Sequence, residues 1–171
     1  MKQTQVKEQA THKTITTLSK YAEDIAPYRG REAEFHKLFK PYEVIQREGN
    51  CLLNSGIDQM WDLITGVDTT YIYDYAKAFI GVGDSTTAAT ATQTDLQAAS
   101  NSKYNAMETG YPTSTTQKAT FKASFATDEA NFAWNEWVVK TTGAECLNRK
   151  VESLGTKTTG TWTLEVAITL S

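Results

Sequence analysis

The clearest periodic signal in the chain is its last stretch, Thr161–Leu170. Trp162, Leu164, Val166, Ile168 and Leu170 take every second position there, with Thr161, Thr163, Glu165, Ala167 and Thr169 between them. Successive side chains of a strand point to opposite faces, so this alternation predicts a half-buried β-strand with one apolar face. Such a ribbon cannot shelter its own apolar row and needs a sheet packed on a second layer. Residues 120–126 alternate similarly, with Phe121, Ala123 and Phe125 set against Lys122 and Ser124. A polar turn over 127–131 returns the chain into 132–139, and the two runs are expected to pair as a hairpin. Phe132 and Trp134 share a parity that Trp137 and Val139 do not, which predicts a β-bulge near Asn135-Glu136. Residues 78–83 read as an apolar strand, 146–151 as a shorter one, and 155–160 as the loop into the final strand.

Three segments carry helical signals. Over 55–66, Ser55 and Asp58 resemble a capping box, Gly66 offers a left-handed stop, and Ile57, Met60, Trp61 and Ile64 recur at the spacing of one buried stripe. Thr94 with Gln97 opens a candidate helix over 94–107, ended by Gly110-Tyr111-Pro112, with Leu96, Ala99 and Met107 facing inward. A short helix over 31–39 would place Phe35, Leu38 and Phe39 on one face before Pro41 forces an exit. Residues 1–20 hold only isolated Ile15 and Leu18 and are too sparse in apolar groups to make a core, so they read as an arm. Tyr21, Ile25, Tyr28, Phe35, Leu38, Phe39 and Tyr42 follow at intervals, broken by Pro27, Gly30 and Pro41. They are candidate interaction residues of an arm reaching onto a neighbouring subunit, or else they cover one edge of their own domain. The expected organisation is an N-terminal arm over 1–48 and a β-rich core domain over 49–171. The expected class is α+β and β-rich: an antiparallel β-sandwich-like domain with one or two short helices and an extended N-terminal arm.

Composition narrows the function classes. At 171 residues the chain suits one domain, and its 17 basic residues are scattered among 20 acidic ones for a net charge of -3. That lacks the clustered cations a phosphate backbone requires, so no direct nucleic-acid partner is expected. No apolar run is long enough to cross a bilayer, and the first twenty residues lack the apolar stretch of a signal peptide. The expectation is a soluble protein made in a cytoplasm, with no membrane partner. Threonine is abundant, which suits strands and polar loops.

Chemical motifs are sparse. Cys51 and Cys146 are far apart and, with His12 and His36, show no metal-binding spacing, so two free thiols and no metal are expected. Gly81 and Gly83 lack the further glycine or Gly-Lys-Ser/Thr of a phosphate loop, and a strand end explains them. Asp84 and Asp95 have no calcium-loop spacing. No histidine sits near a nucleophile elbow, and the acid pairs Asp128/Glu129 and Glu23/Asp24 belong to turns. Glu136, near Arg149 in the expected sheet, reads as a partly buried ion pair. No catalytic residue and no cofactor are expected, and the chain reads as a non-enzyme. A carbohydrate-binding reading would use Trp134, Trp137 or Trp162 as stacking platforms.

Several short stretches together resemble small structural proteins of tailed bacteriophage virions. They are Gly49-Asn50-Cys51-Leu52-Leu53-Asn54-Ser55-Gly56-Ile57, Ile80-Gly81-Val82-Gly83-Asp84-Ser85-Thr86, Gln93-Thr94-Asp95-Leu96-Gln97-Ala98 and Tyr111-Pro112. Further along come Ala130-Asn131-Phe132-Ala133-Trp134-Asn135-Glu136, Leu147-Asn148-Arg149-Lys150-Val151, and Gly155-Thr156-Lys157 followed by Thr161-Trp162-Thr163-Leu164. The likeness covers about 49–171, consists of turns and core positions, and carries no catalytic signature. It implies a virion component present in many copies: a capsid decoration or cement protein, or alternatively a tail adaptor, baseplate or fibre-attachment subunit. The partners it implies are further copies of the chain, a trimer among the options, and other virion proteins such as the major capsid protein.

Overall fold

The computed structural model describes residues 11–143 and 145–171. Two antiparallel five-stranded sheets face each other. The first runs β2 (Glu43–Glu48), β1 (His12–Tyr21), β10 (Thr161–Leu170), β7 (Lys118–Phe125) and β6 (Thr113–Thr115). The second runs β3 (Cys51–Leu52), β9 (Cys146–Thr156), β8 (Ala133–Lys140), β4 (Phe79–Gly83) and β5 (Ser102–Ala106). Two helices, α1 (Glu32–Leu38) and α2 (Asn54–Thr65), complete a β-rich, sandwich-like α+β domain. The final strand lies at the centre of its sheet between β1 and β7, and Trp162, Leu164, Val166 and Ile168 point into the core. There the Trp134 ring meets Phe125 and Trp162 edge-on, with centroids 4.8 and 4.9 Å away. Leu170, at the strand's end, is exposed. The bulge between Trp134 and Glu136 occurs where the parity change placed it.

The N-terminal segment departs from the expected arm. Every residue of β1 pairs with β10, from His12 opposite Leu170 to Tyr21 opposite Thr161, and β2 covers its other edge. Residues 12–21 and 43–48 are therefore strands of the first sheet and not part of a free arm; residues 1–10 lie outside the described residues. The inward positions of β1 are Thr14, Thr16, Leu18 and Lys20, all buried, so the core face of this strand is mostly polar by residue type. Thr16 makes it workable by accepting the indole N–H of Trp137 at 3.2 Å, and Lys20 lays its ammonium 4.4 Å from the centroid of Trp162. A buried polar atom satisfied in this way costs little, yet it leaves no apolar alternation to read.

The expected β7–β8 hairpin does not form. β7 belongs to the first sheet and β8 to the second, so the intervening turn arches across the sandwich. Lys157 holds the arch: its ammonium donates to the carbonyl oxygens of Ala126 (2.7 Å) and Thr127 (3.3 Å) and to Asn131 Oδ1 (2.9 Å). Burial pushes this ammonium down to about 8, so it still carries its charge at neutral pH. The expected 94–107 helix is also absent, and Ser102–Ala106 instead pairs with β4. β9 runs to Thr156, well past the short strand expected over 146–151.

Helix α2 forms where its pattern placed it, and Gly66 ends it in the left-handed region at φ 73°. Ser55 does not cap it; its hydroxyl donates to the Cys146 carbonyl at 3.2 Å. The helix divides its expected stripe: Ile57 and Met60 are half-buried, Met60 against the core. Its buried residues are Gly56 and Gln59, while Trp61 and Ile64 face out. At Gly56 the helix axis comes so close to β9 that an added Cβ would run into Leu147 Cα and stand 2.7 Å from the Cys146 carbonyl oxygen. Only a residue without a side chain fits this close approach.

Candidate functional site

Buried polar chemistry gathers first around Glu136. Glu136 and Arg149 are both fully buried, and the guanidinium donates Nε and Nη2 to Glu136 Oε2 at 2.7 and 2.6 Å. The sequence placed this pair partly buried; it is completely so. Arg149 also donates to Gln93 Oε1 and to the Thr87 carbonyl, each at 2.9 Å. Glu136 in turn accepts the backbone N–H groups of Gln97 and Ala98, at 3.0 and 2.8 Å. These contacts tie the 97–98 backbone to β8. Gly83 makes room for the carboxylate, since a Cβ there would sit 2.6 Å from Glu136 Oε1; Gly81 makes room for the Tyr104 ring, 2.5 Å from where its Cβ would be. The glycine pair thus serves a side chain and a ring of the chain itself. With every polar atom spent on the chain's own loop, the pair fastens structure and leaves no group for a substrate.

A second cluster surrounds Glu108. His36 Nε2 lies 3.0 Å from both Glu108 oxygens, and His36 Nδ1 lies 3.1 Å from the Tyr21 hydroxyl. Ser124 donates its hydroxyl to Glu108 Oε1, and the Lys122 ammonium stands 3.4 Å from Oε2. Burial opposes the charge on Glu108, but His36, Lys122 and Ser124 outweigh it and hold its carboxyl below the ordinary value. Serine, histidine and carboxylate meet here in the wrong order for nucleophilic catalysis. The acid stands between the other two, the histidine does not reach the hydroxyl, and Ser124 is fully buried.

The cysteines are free, Cys146 buried and Cys51 half-buried, and burial pushes the Cys146 thiol up to about 12. Trp134, Trp137 and Trp162 are all buried, so none offers a stacking platform to a sugar. Among the described residues, no three His, Cys, Asp or Glu side chains are placed to hold a metal ion, and no helix is long and apolar enough to cross a membrane.

What remains is the surface. Of the seven candidate interaction residues, Tyr21, Ile25 and Phe35 are buried against Ala126 in a small core of their own, with Tyr28 and Phe39 packed on it. The cluster lies at one end of the sandwich, where Ile25 N–H donates to Thr161 Oγ1 at 2.8 Å; Tyr21, Ile25 and Phe35 are buried in it, and Tyr28 and Phe39 keep part of their surface exposed. Leu38 and Tyr42, each 64% exposed, remain outside, joined by Val44 on the free edge of β2. The second apolar surface is on α2, where Trp61 (61%), Ile64 (74%) and the following Val67 (77%) stand in solvent. Beside it a pocket of about 430 Å3 is lined by Met60, Tyr73, Tyr75, Pro112, Phe121 and Leu147. The sequence assigned the whole α2 stripe to the core; Met60 reaches it, Trp61 and Ile64 do not, and the buried Gly56 in the same helix was the signal for the difference.

Comparison with known proteins finds no match: no family model, no curated protein and no solved structure matches the chain.

Proposed function

We propose that this chain is a non-enzymatic structural protein of a tailed-phage virion, present in many copies and built for protein–protein contact, decorating or cementing the capsid. The observation that carries the reading is the outward stripe of α2. A helix locked to its sheet through Gly56 presents Trp61 and Ile64 to solvent on a rigid element, the arrangement a repeated protein interface uses. Two further features support it. The buried carboxylates are consumed by the chain's own loops, and the turns of 49–171 resemble small virion proteins. A tail-associated or fibre-attachment role is the second reading. It is favoured by the placement of the two apolar surfaces at opposite ends of β10, which suits stacking along an axis. The test is electron microscopy of intact particles carrying a labelled copy of the chain. Density at many equivalent positions on the head is expected. Density confined to one vertex or to the tail would move the protein to the second reading, and absence from the particle would overturn both.

A further inference from the structure

We infer that the chain associates with itself head-to-tail, the α2 surface of one copy docking on the α1–β2 surface of the next. This deepens the multi-copy reading by naming the two surfaces and their partner, a second copy of the same chain.

The placement argues first. Tyr42 N–H donates to the Lys20 carbonyl at 2.9 Å and Val44 pairs opposite Ser19, so Leu38, Tyr42 and Val44 sit at the end of the sandwich where β1 finishes and β10 begins. Met60 of α2 shares a pocket wall with Lys118, Ile168 and Leu170, at the other end of β10. The ten residues of that strand separate the two surfaces by roughly 30 Å at ~3.3 Å per residue. One chain therefore cannot close its own two surfaces on each other, and each is left for a neighbour.

Charge then selects the mate. Asp58 and Asp62 flank Trp61 on α2, neither is in an ion pair among the described residues, and residues 54–68 contain no lysine or arginine. At the other end Lys37 and Lys40 bracket Leu38 and are exposed, and they too have no acid partner among the described residues. The nearby acids are already engaged, Glu34 with Arg31 and Glu43 with Lys20. Lys118 shares a pocket wall with Met60, but the helix face around Trp61 carries acid only; it repels its own twin and attracts the basic surface, so the favoured contact joins unlike surfaces. The pocket beside Met60 lies one helical turn from Ile64 and offers space for an inserted aliphatic or tyrosine side chain, which Leu38 and Tyr42 supply.

The test uses two full-length variants, Trp61→Asp with Ile64→Asp, and Leu38→Asp with Tyr42→Asp, read by sedimentation and native mass spectrometry. All four positions are exposed, and circular dichroism checks that each variant folds. Wild type is expected to form concentration-dependent oligomers. Each variant alone should associate about 30-fold or more weakly, the loss typical of removing a central aromatic or aliphatic anchor. An equimolar mixture should give a one-to-one dimer and nothing larger, because each partner then contributes one intact surface. A mixture that stays monomeric, a variant that assembles like wild type, or a wild type that stays monomeric at high concentration would each overturn the inference. If such a wild type still occupies many sites on particles, the virion reading stands without it.

Discussion

The two helices close opposite ends of one sandwich and treat their large side chains in opposite ways. α1 turns Phe35 inward, where it meets Tyr21 and Tyr28 edge-on at 5.0 and 5.6 Å, and leaves Leu38 outside. α2 turns glycine and glutamine inward and leaves tryptophan and isoleucine outside. The difference teaches that burial follows how closely a helix can approach its sheet. α1 packs Phe35 among Tyr21, Ile25 and Ala126, whereas α2 meets the backbone of β9 directly.

That contrast can be broken at four points. Phe35→Ala should cost about 3–5 kcal/mol of unfolding free energy, because it empties the centre of the α1 cluster. Urea titration followed by circular dichroism measures it, and a loss below about 1 kcal/mol would mean the cluster is loosely packed. Gly56→Ala should cost about 1–3 kcal/mol, since the new methyl must push the helix away from Leu147. A neutral result would show that α2 is not held by that approach.

The third point is pH. The folded-state pKa of Glu108 lies below its ordinary value of 4.5, so the folded protein holds that proton less tightly than the unfolded chain. Its contribution to stability is then present above about pH 4.5 and is lost as pH falls through the lowered value. Urea midpoints measured from pH 7 to pH 3 should drop more steeply for wild type than for Glu108→Gln; parallel curves would remove Glu108 as the cause. The smallest effect belongs to the exposed tryptophan. Trp61→Ala should change monomer stability by no more than about 0.5 kcal/mol, in contrast to Phe35. A large loss would put Trp61 back in the core.

Much of the fold was legible where a strand buries apolar residues on alternate positions. The β10 alternation, the apolar β4, the bulge after Trp134 and the Glu136–Arg149 pair all followed from parity and residue type. β1 was hidden because Thr14, Thr16 and Lys20 fill its inward positions and only Leu18 signals a core. The β7–β8 arch was hidden because it depends on Lys157, some thirty residues away in sequence, reaching two carbonyls of the turn. The capping signal at Thr94 and Gln97 was local, and it could not show that Ser102–Ala106 pairs with β4 or that the 97–98 backbone is tied to the distant carboxylate of Glu136. The α2 surface was misassigned for the reason the two helices illustrate: spacing shows that a stripe exists, and only the neighbour's shape decides which side is buried.

The most direct test of the two-surface contact is acrylamide quenching of tryptophan fluorescence in wild type and Trp61→Phe across a concentration series. Trp134, Trp137 and Trp162 are buried, so the difference between the two proteins reports Trp61 alone. The expected result is a strongly quenched Trp61 in dilute monomer that becomes protected as copies associate. A Trp61 protected at every concentration, or quenched equally in monomer and oligomer, would contradict it.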